Sequence, residues 1–82
     1  MNEWRIGNVI LNCDVSPNDI SMNIFEKKMG EHCKYPRCFF VKLEHIPTGI
    51  TVTKSDKIQL YAFDRCLKEI DELVKDYEYS QQ

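Results

Sequence analysis

Residues with the chemistry to bind a metal ion or to act as a nucleophile lie in and beside one polar loop, residues 27–38. They are His32, Cys33, Cys38 and His45. Two thiolates and two imidazoles are donors of a tetrahedral zinc site, although the four residues between Cys33 and Cys38 stand at the edge of the usual spacing of about two to four. His32 and Cys33 also have the residue types of a Cys-His nucleophile pair, but adjacency in sequence does not bring a base to the sulfur in space. We therefore favour an ordinary loop with free thiols, and expect no metal, no other cofactor and no catalysis by this pair.

The same loop is locally basic and contains one aromatic ring. Its basic and aromatic side chains are Lys27, Lys28, Lys34, Tyr35 and Arg37. One interpretation is contact with RNA phosphates. The alternative is a solvated loop whose charge is balanced by Glu26 and Glu31. The whole chain has a net charge of −2 and a pI of about 5.6, which argues against nucleic acid as the main partner but permits a local patch.

The loop leads into a predicted β-hairpin at residues 39–52. Apolar and polar residues alternate across 39–44 and again across 50–53, as in half-buried strands. Between these runs, Pro47 fixes its own φ, and Gly49 can adopt the positive φ that closes a three-residue loop with a bulge. A helix is excluded because Pro47 would remove a hydrogen bond and clash with the preceding turn.

Two further strands are predicted before the loop. Residues 9–13 form a short apolar run, and residues 19–26 alternate apolar and polar side chains. The N-terminal residues 1–8 give no clear signal beyond a possible edge strand. Phe25 and Phe40 fall on the outward faces of their strands, where we expect the N-terminal segment or Trp4 to cover them. An exposed apolar patch for a protein partner is the alternative.

A long helix is predicted over residues 57–77. Its apolar residues recur at helical spacing: Leu60, Phe63, Leu67, Ile70, Val74 and Tyr77, with Leu73 alongside. Ser55 is the expected N-cap and Asp56 suits the first turn. Cys66 lies beside the stripe and is expected to be a small core residue. Residues 78–82 are expected to fray.

These elements predict an α+β fold, namely a small antiparallel sheet of three or four strands covered by one long C-terminal helix. The 82 residues form one domain, 1–82, with a thin core. No apolar run reaches the roughly 18 residues that a membrane span needs. The N-terminus has an early acid and no apolar segment typical of a signal peptide, so we expect a cytoplasmic protein with reduced thiols.

Three segments follow one another in the chain: VSPNDISMNIF at residues 15–25, VKLEHIPTGI at residues 41–50 and the helix that contains Gln59, Cys66 and Ile70. In this order they resemble the peptidyl-tRNA-hydrolysing domain of class I peptide chain release factors and their ribosome-rescue relatives. Residues 15–25, VSPNDISMNIF, are similar to the family's opening strand. Residues 41–50, VKLEHIPTGI, are similar to its strand-turn-strand, in which a His-aliphatic-Pro-Thr-Gly-aliphatic turn is typical. The helix with Gln59, Cys66 and Ile70 fits after a one-residue gap. The resemblance implies a release-factor-like core at about residues 15–77.

The family's Gly-Gly-Gln motif is replaced here by the stretch from Met29 to Lys34, MGEHCK. We also expect neither the basic tail of the rescue factors nor a codon-reading domain. We therefore expect no hydrolase activity, but a non-catalytic module that associates with the ribosome or a translation factor. The alternative is a small protein-binding regulator or inhibitor on the same scaffold that does not act on RNA. The candidate binding site is the loop before the hairpin: Lys27, Lys28, Gly30, Glu31, His32, Lys34, Tyr35 and Arg37.

Overall fold

The computed structural model describes residues 2–28 and 37–81, which form five strands and one helix. The strands are β1 Asn2–Ile6, β2 Val9–Cys13, β3 Ile20–Lys28, β4 Arg37–His45 and β5 Ile50–Asp56, and the helix is α1 Gln59–Ser80. One turn of 3-10 helix, Pro17–Asp19, precedes β3. Strands β1 and β2 pair as a two-stranded antiparallel sheet, while β3, β4 and β5 form a three-stranded antiparallel sheet in that order. The predicted α+β class is confirmed.

The hairpin of β4 and β5 has the predicted turn chemistry but a longer loop. His45 pairs with Ile50, which leaves four loop residues instead of the expected three. Gly49 has a φ of +77°, and its N–H donates to the carbonyl oxygen of His45 at 2.7 Å. A second contact within the turn joins His45 Nδ1 and Thr48 Oγ1 at 2.8 Å. The positive φ at the glycine is therefore confirmed.

Helix α1 begins later and ends later than predicted. Ser55 is not its N-cap, because β5 continues through Asp56 and Ile58 occupies the cap position without a side-chain hydrogen bond. Asp56 Oδ1 instead accepts from the backbone N–H of Ile58 at 3.0 Å, an Asx-type turn that links strand to helix. At its other end, the helix continues through Ser80, where fraying was expected.

The core lies between α1 and one face of the three-stranded sheet. The helix packs on β4 and β5. The sheet contributes Val41, Leu43 and Val52, and the helix contributes Ala62, Phe63, Cys66, Leu67, Ile70 and Val74. Cys66 is fully buried, as predicted, with its Sγ 3.4 Å from the carbonyl oxygen of Val41 and 3.2 Å from that of Val52. Desolvation by burial raises the pKa of this thiol, so it remains protonated.

The N-terminal hairpin of β1 and β2 lies against the helix and does not extend the main sheet. It turns at Gly7, which has a φ of +58°. Trp4 is buried among core residues, with its ring centroid 5.9 Å from that of Phe63, and its Nε1–H donates to the carbonyl oxygen of Val15 at 3.1 Å. The expectation that Trp4 covers Phe25 and Phe40 is therefore wrong, because the tryptophan packs against the helix.

A buried carboxylate joins the end of β2 to α1. Asp71 Oδ1 accepts from the backbone N–H groups of Asp14 at 3.0 Å and Val15 at 3.1 Å. Lys75 Nζ lies 3.2 Å from Asp71 Oδ2 and 2.9 Å from Asp14 Oδ2. The hydrogen bond and charge of Lys75 lower the pKa of Asp14, and the same contact raises the pKa of Lys75.

In the part of the chain described, no helix is long and apolar enough to cross a membrane.

Candidate functional site: the outer face of the sheet

The predicted loop site joins the end of β3 to the start of β4. Gly30, Glu31, His32, Lys34 and Tyr35 lie outside the described residues. Lys27 and Arg37 are described, and the alternation of side chains along a strand places them on opposite faces of the sheet. Arg37 lies on the helix side, where its Nε is 3.1 Å from Glu26 Oε1. Lys28 is the direct cross-strand partner of Arg37, so these two strand positions share one side of the sheet and only that of Lys27 is on the other.

The candidate metal donors at the two ends of β4 are also separated. Cys38 lies on the face opposite the helix, whereas His45 is buried on the helix side with Thr48. They stand seven positions apart in one strand, which corresponds to roughly 23 Å at about 3.3 Å per residue. These two residues cannot ligate the same ion, and His32 and Cys33 lie outside the described residues. No cluster of three or more potential ligands occurs within residues 2–28 and 37–81.

The face of the three-stranded sheet opposite α1 is here called the outer face. Because Val41, Leu43 and Val52 point into the core, the alternate positions and their cross-strand partners form this face. Its side chains are Ser21, Asn23, Phe25, Lys27, Cys38, Phe40, Lys42, Glu44, Thr51, Thr53 and Ser55. The helix and the core residues of the N-terminal hairpin lie on the other side of the sheet, so neither covers it.

Two stacked phenylalanines form the centre of the outer face. Phe25 and Phe40 are direct cross-strand partners, with ring centroids 5.3 Å apart and planes that differ by only 4°. Such a pair stabilises the strands by about 0.5–1.5 kcal/mol beyond its area burial. Phe25 nevertheless remains 49 % exposed. The expected cover is absent among the described residues, so the outer face presents an accessible aromatic platform.

Lysines flank this platform along both strands. Lys27 follows Phe25 by two positions, and Lys42 follows Phe40 by two positions in the antiparallel neighbour. The lysines therefore lie on opposite sides of the aromatic pair. Both are exposed, and neither forms an ion pair with a residue in the described ranges.

The outer face differs in charge from the chain as a whole. It carries two lysines and one acid, Glu44, a formal charge of +2 − 1 = +1, whereas the whole chain has −2. Most of the acids lie elsewhere, and several on α1 and β5 are paired, as Glu69 is with Lys54 at 3.0 Å and Asp56 with Arg65 at 3.3 Å. The remaining groups of the outer face are mostly hydroxyls and an amide, which donate and accept hydrogen bonds.

This combination can hold an unpaired nucleic-acid base by stacking, a phosphate by charge and a base edge by hydrogen bonds. Sequence alternation placed Phe25 and Phe40 on the outward side but did not show that they were neighbours or uncovered. The cross-strand register was the missing signal: with Ile20 opposite His45, Phe25 stands opposite Phe40 and Asn23 opposite Lys42.

Comparisons with known proteins give no relatives for this site. The chain matches no protein-family model, no curated protein and no solved structure.

Proposed function

We propose that this protein is a non-catalytic, release-factor-like module that associates with the ribosome by binding single-stranded RNA on its outer face. The observation that carries the RNA contact is the uncovered Phe25–Phe40 pair between Lys27 and Lys42. The resemblance of residues 15–25 and the IPTG turn to release-factor domains supplies the ribosomal setting.

Single-stranded RNA suits this surface better than a duplex does. Stacking on a side chain requires a base whose face is free, and such bases occur in loops, bulges and strand ends. Each base stacked on an aromatic ring contributes about 1–3 kcal/mol, largely independent of its sequence. Lys27 and Lys42 are the basic residues of the described outer face, so this surface should show a shallow salt dependence, with a slope near that of about two phosphate contacts.

No hydrolytic step is part of this proposal. In place of the family's Gly-Gly-Gln, the chain has Gly30, Glu31 and His32, and a glutamate cannot supply the backbone freedom of a glycine. We expect the purified protein to leave peptidyl-tRNA intact while it binds ribosomes or RNA.

The test is binding of a fluorescently labelled single-stranded RNA to the purified protein, measured by anisotropy at two salt concentrations. Phe25→Leu keeps an apolar side chain but removes the ring, so we expect about 10-fold weaker binding from the loss of one stacked base. Lys42→Glu should weaken binding and flatten its salt dependence.

Matched controls lie on the helix. Tyr61→Leu removes an equally exposed ring, with Tyr61 55 % exposed against 49 % for Phe25, and Lys68→Glu reverses an exposed charge away from the sheet. Neither should change the affinity. In sedimentation with ribosomes, the outer-face variants should pellet less than the wild-type protein, and the two helix controls should pellet as the wild type does. Wild-type protein that neither binds the RNA nor pellets with ribosomes at low salt would contradict the proposal, as would equal losses in the outer-face variants and the helix controls.

A protein partner is the second candidate, and the exposure of the apolar Phe25 ring favours it. Here the protein would be a regulator or inhibitor that docks a partner on the outer face. A stoichiometric protein complex that Phe25→Leu disrupts but Lys42→Glu leaves intact, together with an absence of RNA binding, would select this candidate.

A further inference from the structure

Strand β3 is exposed on both of its faces. Every side chain from Ser21 to Lys27 is exposed, although β3 is one of the two longest strands described. The cause is the position of α1, which packs on β4 and β5 and leaves the third strand beyond its edge. On the helix side, Met22 is 49 % and Ile24 38 % exposed, and on the outer face Phe25 is exposed as well.

The backbone of β3 also has an open edge. The carbonyl oxygen of Asp19 accepts from the N–H of Ile46 at 2.8 Å, so alternate residues counted from Asp19 bond to β4. The intervening residues direct their N–H and C=O groups away from the sheet: Ile20, Met22, Ile24 and Glu26. No strand in the described ranges pairs with this edge. An unpaired edge of this length is a template for another strand.

The opposite edge of the sheet is protected. Strand β5 carries Lys54 and Asp56 on its helix-facing side, where they pair with Glu69 and Arg65 of α1. Inward-pointing charges of this kind oppose strand addition. In β3, by contrast, residues 20–25 contain no charged side chain at all.

We propose that β3 pairs with β3 of a second copy of this chain, antiparallel, about a two-fold axis at Asn23. In this register Met22 lies opposite Ile24 of the second copy, and the outward backbone groups of both strands meet in hydrogen-bonding positions. The charges at the ends of the strand are complementary, because Asp19 precedes it and Lys27 ends the exposed run, and antiparallel pairing brings each near the other. Glu26 is already paired with Arg37 within its own chain.

The symmetry favours a closed dimer over an extended assembly. A two-fold interface uses the same strand of both copies and consumes both open edges at once. The product is one six-stranded sheet whose two outer faces lie on the same side. The protected edges of the two β5 strands then form its ends.

The first test is the mass of the protein in solution, measured by sedimentation velocity from about 1 to 200 µM without RNA, since dimerisation follows mass action. We expect a transition to twice the 9.7 kDa chain mass. Ile24→Lys places a lysine opposite Met22 of the second copy and should weaken the dimer at least about 10-fold. Thr51→Lys, at an exposed position of β5, is the matched control and should leave the mass unchanged.

The second test is a disulfide that reports the register. Oxidised Asn23→Cys should form an interchain bond, because the two residues would be a non-hydrogen-bonded pair about 4.5 Å apart, within disulfide reach. Ser21→Cys should not, because it would face Phe25 of the second copy. Both variants are made with Cys33 and Cys38 replaced by serine.

A monomeric mass at all concentrations, a dimer that Ile24→Lys does not weaken, or equal cross-linking at positions 21 and 23 would overturn the proposal. These measurements contain no RNA, so their failure is distinct from failure of the proposed RNA contact.

Discussion

Replacing Asp71 by alanine should destabilise the protein more than any other substitution of a charged residue in the described chain. Asp71 is only 8 % exposed, and its carboxylate holds the turn after β2 against α1. It accepts from two backbone N–H groups, those of Asp14 and Val15, and contacts the Lys75 ammonium. These contacts join segments 56 and 57 residues apart in sequence, so their loss is not repaired locally.

The magnitude follows from what each partner can do after the substitution. Val15 is buried, so its N–H is left without an acceptor at a cost of about 1–3 kcal/mol. Asp14 is exposed, and water can replace most of its lost bond. Lys75 is half exposed, so its ion pair contributes little, below about 1 kcal/mol. The sum is about 2–3 kcal/mol, a large share of the roughly 5–15 kcal/mol typical of a domain.

Urea unfolding followed by circular dichroism measures this loss, and a thermal scan should show a fall in Tm of about 8–24 °C. Asp71→Asn keeps an oxygen acceptor for both amides and should lose only about 1 kcal/mol. Glu72→Ala, at the exposed neighbouring position, should stay within about 0.5 kcal/mol of wild type. A loss of less than about 1 kcal/mol in Asp71→Ala, or an asparagine variant as unstable as the alanine variant, would refute this role of Asp71.

Two further predictions concern the hairpin turn and the buried thiols. Gly49→Ala should lower the free energy of unfolding by about 1–2 kcal/mol, because Gly49 has a φ of +77°. An added Cβ would meet no atom within 4 Å, so the penalty is conformational and not steric. Gly49→Asn should lose less stability in the same urea assay, and equal losses in the two variants would contradict this explanation. Burial raises the pKa of Cys66 and Cys13 in the folded state above the pKa of the same thiols in the unfolded chain. The contribution of these thiols to stability is therefore fully present below the unfolded pKa, and it is lost as the pH rises from the unfolded pKa through the folded pKa. Unfolding free energies measured from pH 8 to 10 should therefore decline less in Cys66→Ser than in wild type, and parallel declines would contradict the assignment.

Local patterns were sufficient for the elements that local physics controls. The stripe containing Leu67 and Ile70 predicted the long helix, and Pro47 with Gly49 predicted the turn, because each signal lies within a few residues of its consequence. The helix start was wrong for a local reason as well. Asp56 bonds the N–H of Ile58 and lets β5 run on, so the serine that precedes it never caps the helix.

Long-range placement could not be predicted from these patterns. Asp71 has the sequence context of a surface charge on an amphipathic helix, and only the folded chain brings the amides of Asp14 and Val15 to it. Trp4 is similar, because its burial depends on a hairpin that packs beside α1. Whether Phe25 and Phe40 were covered depended on that same placement, which explains why the expected cover was wrong.

The two faces of the sheet can be tested separately because they alternate along the same strands. Val41 and Leu43 are fully buried against the helix, while Phe40 and Lys42, their immediate neighbours, face the other way. Substitutions on the outer face therefore remove no side chain from the helix-facing core. A variant such as Lys42→Glu can therefore be checked for wild-type stability by its urea midpoint. If it is as stable as the wild type but binds less RNA, the loss of binding is due to the surface itself, and this makes the proposed RNA contact refutable.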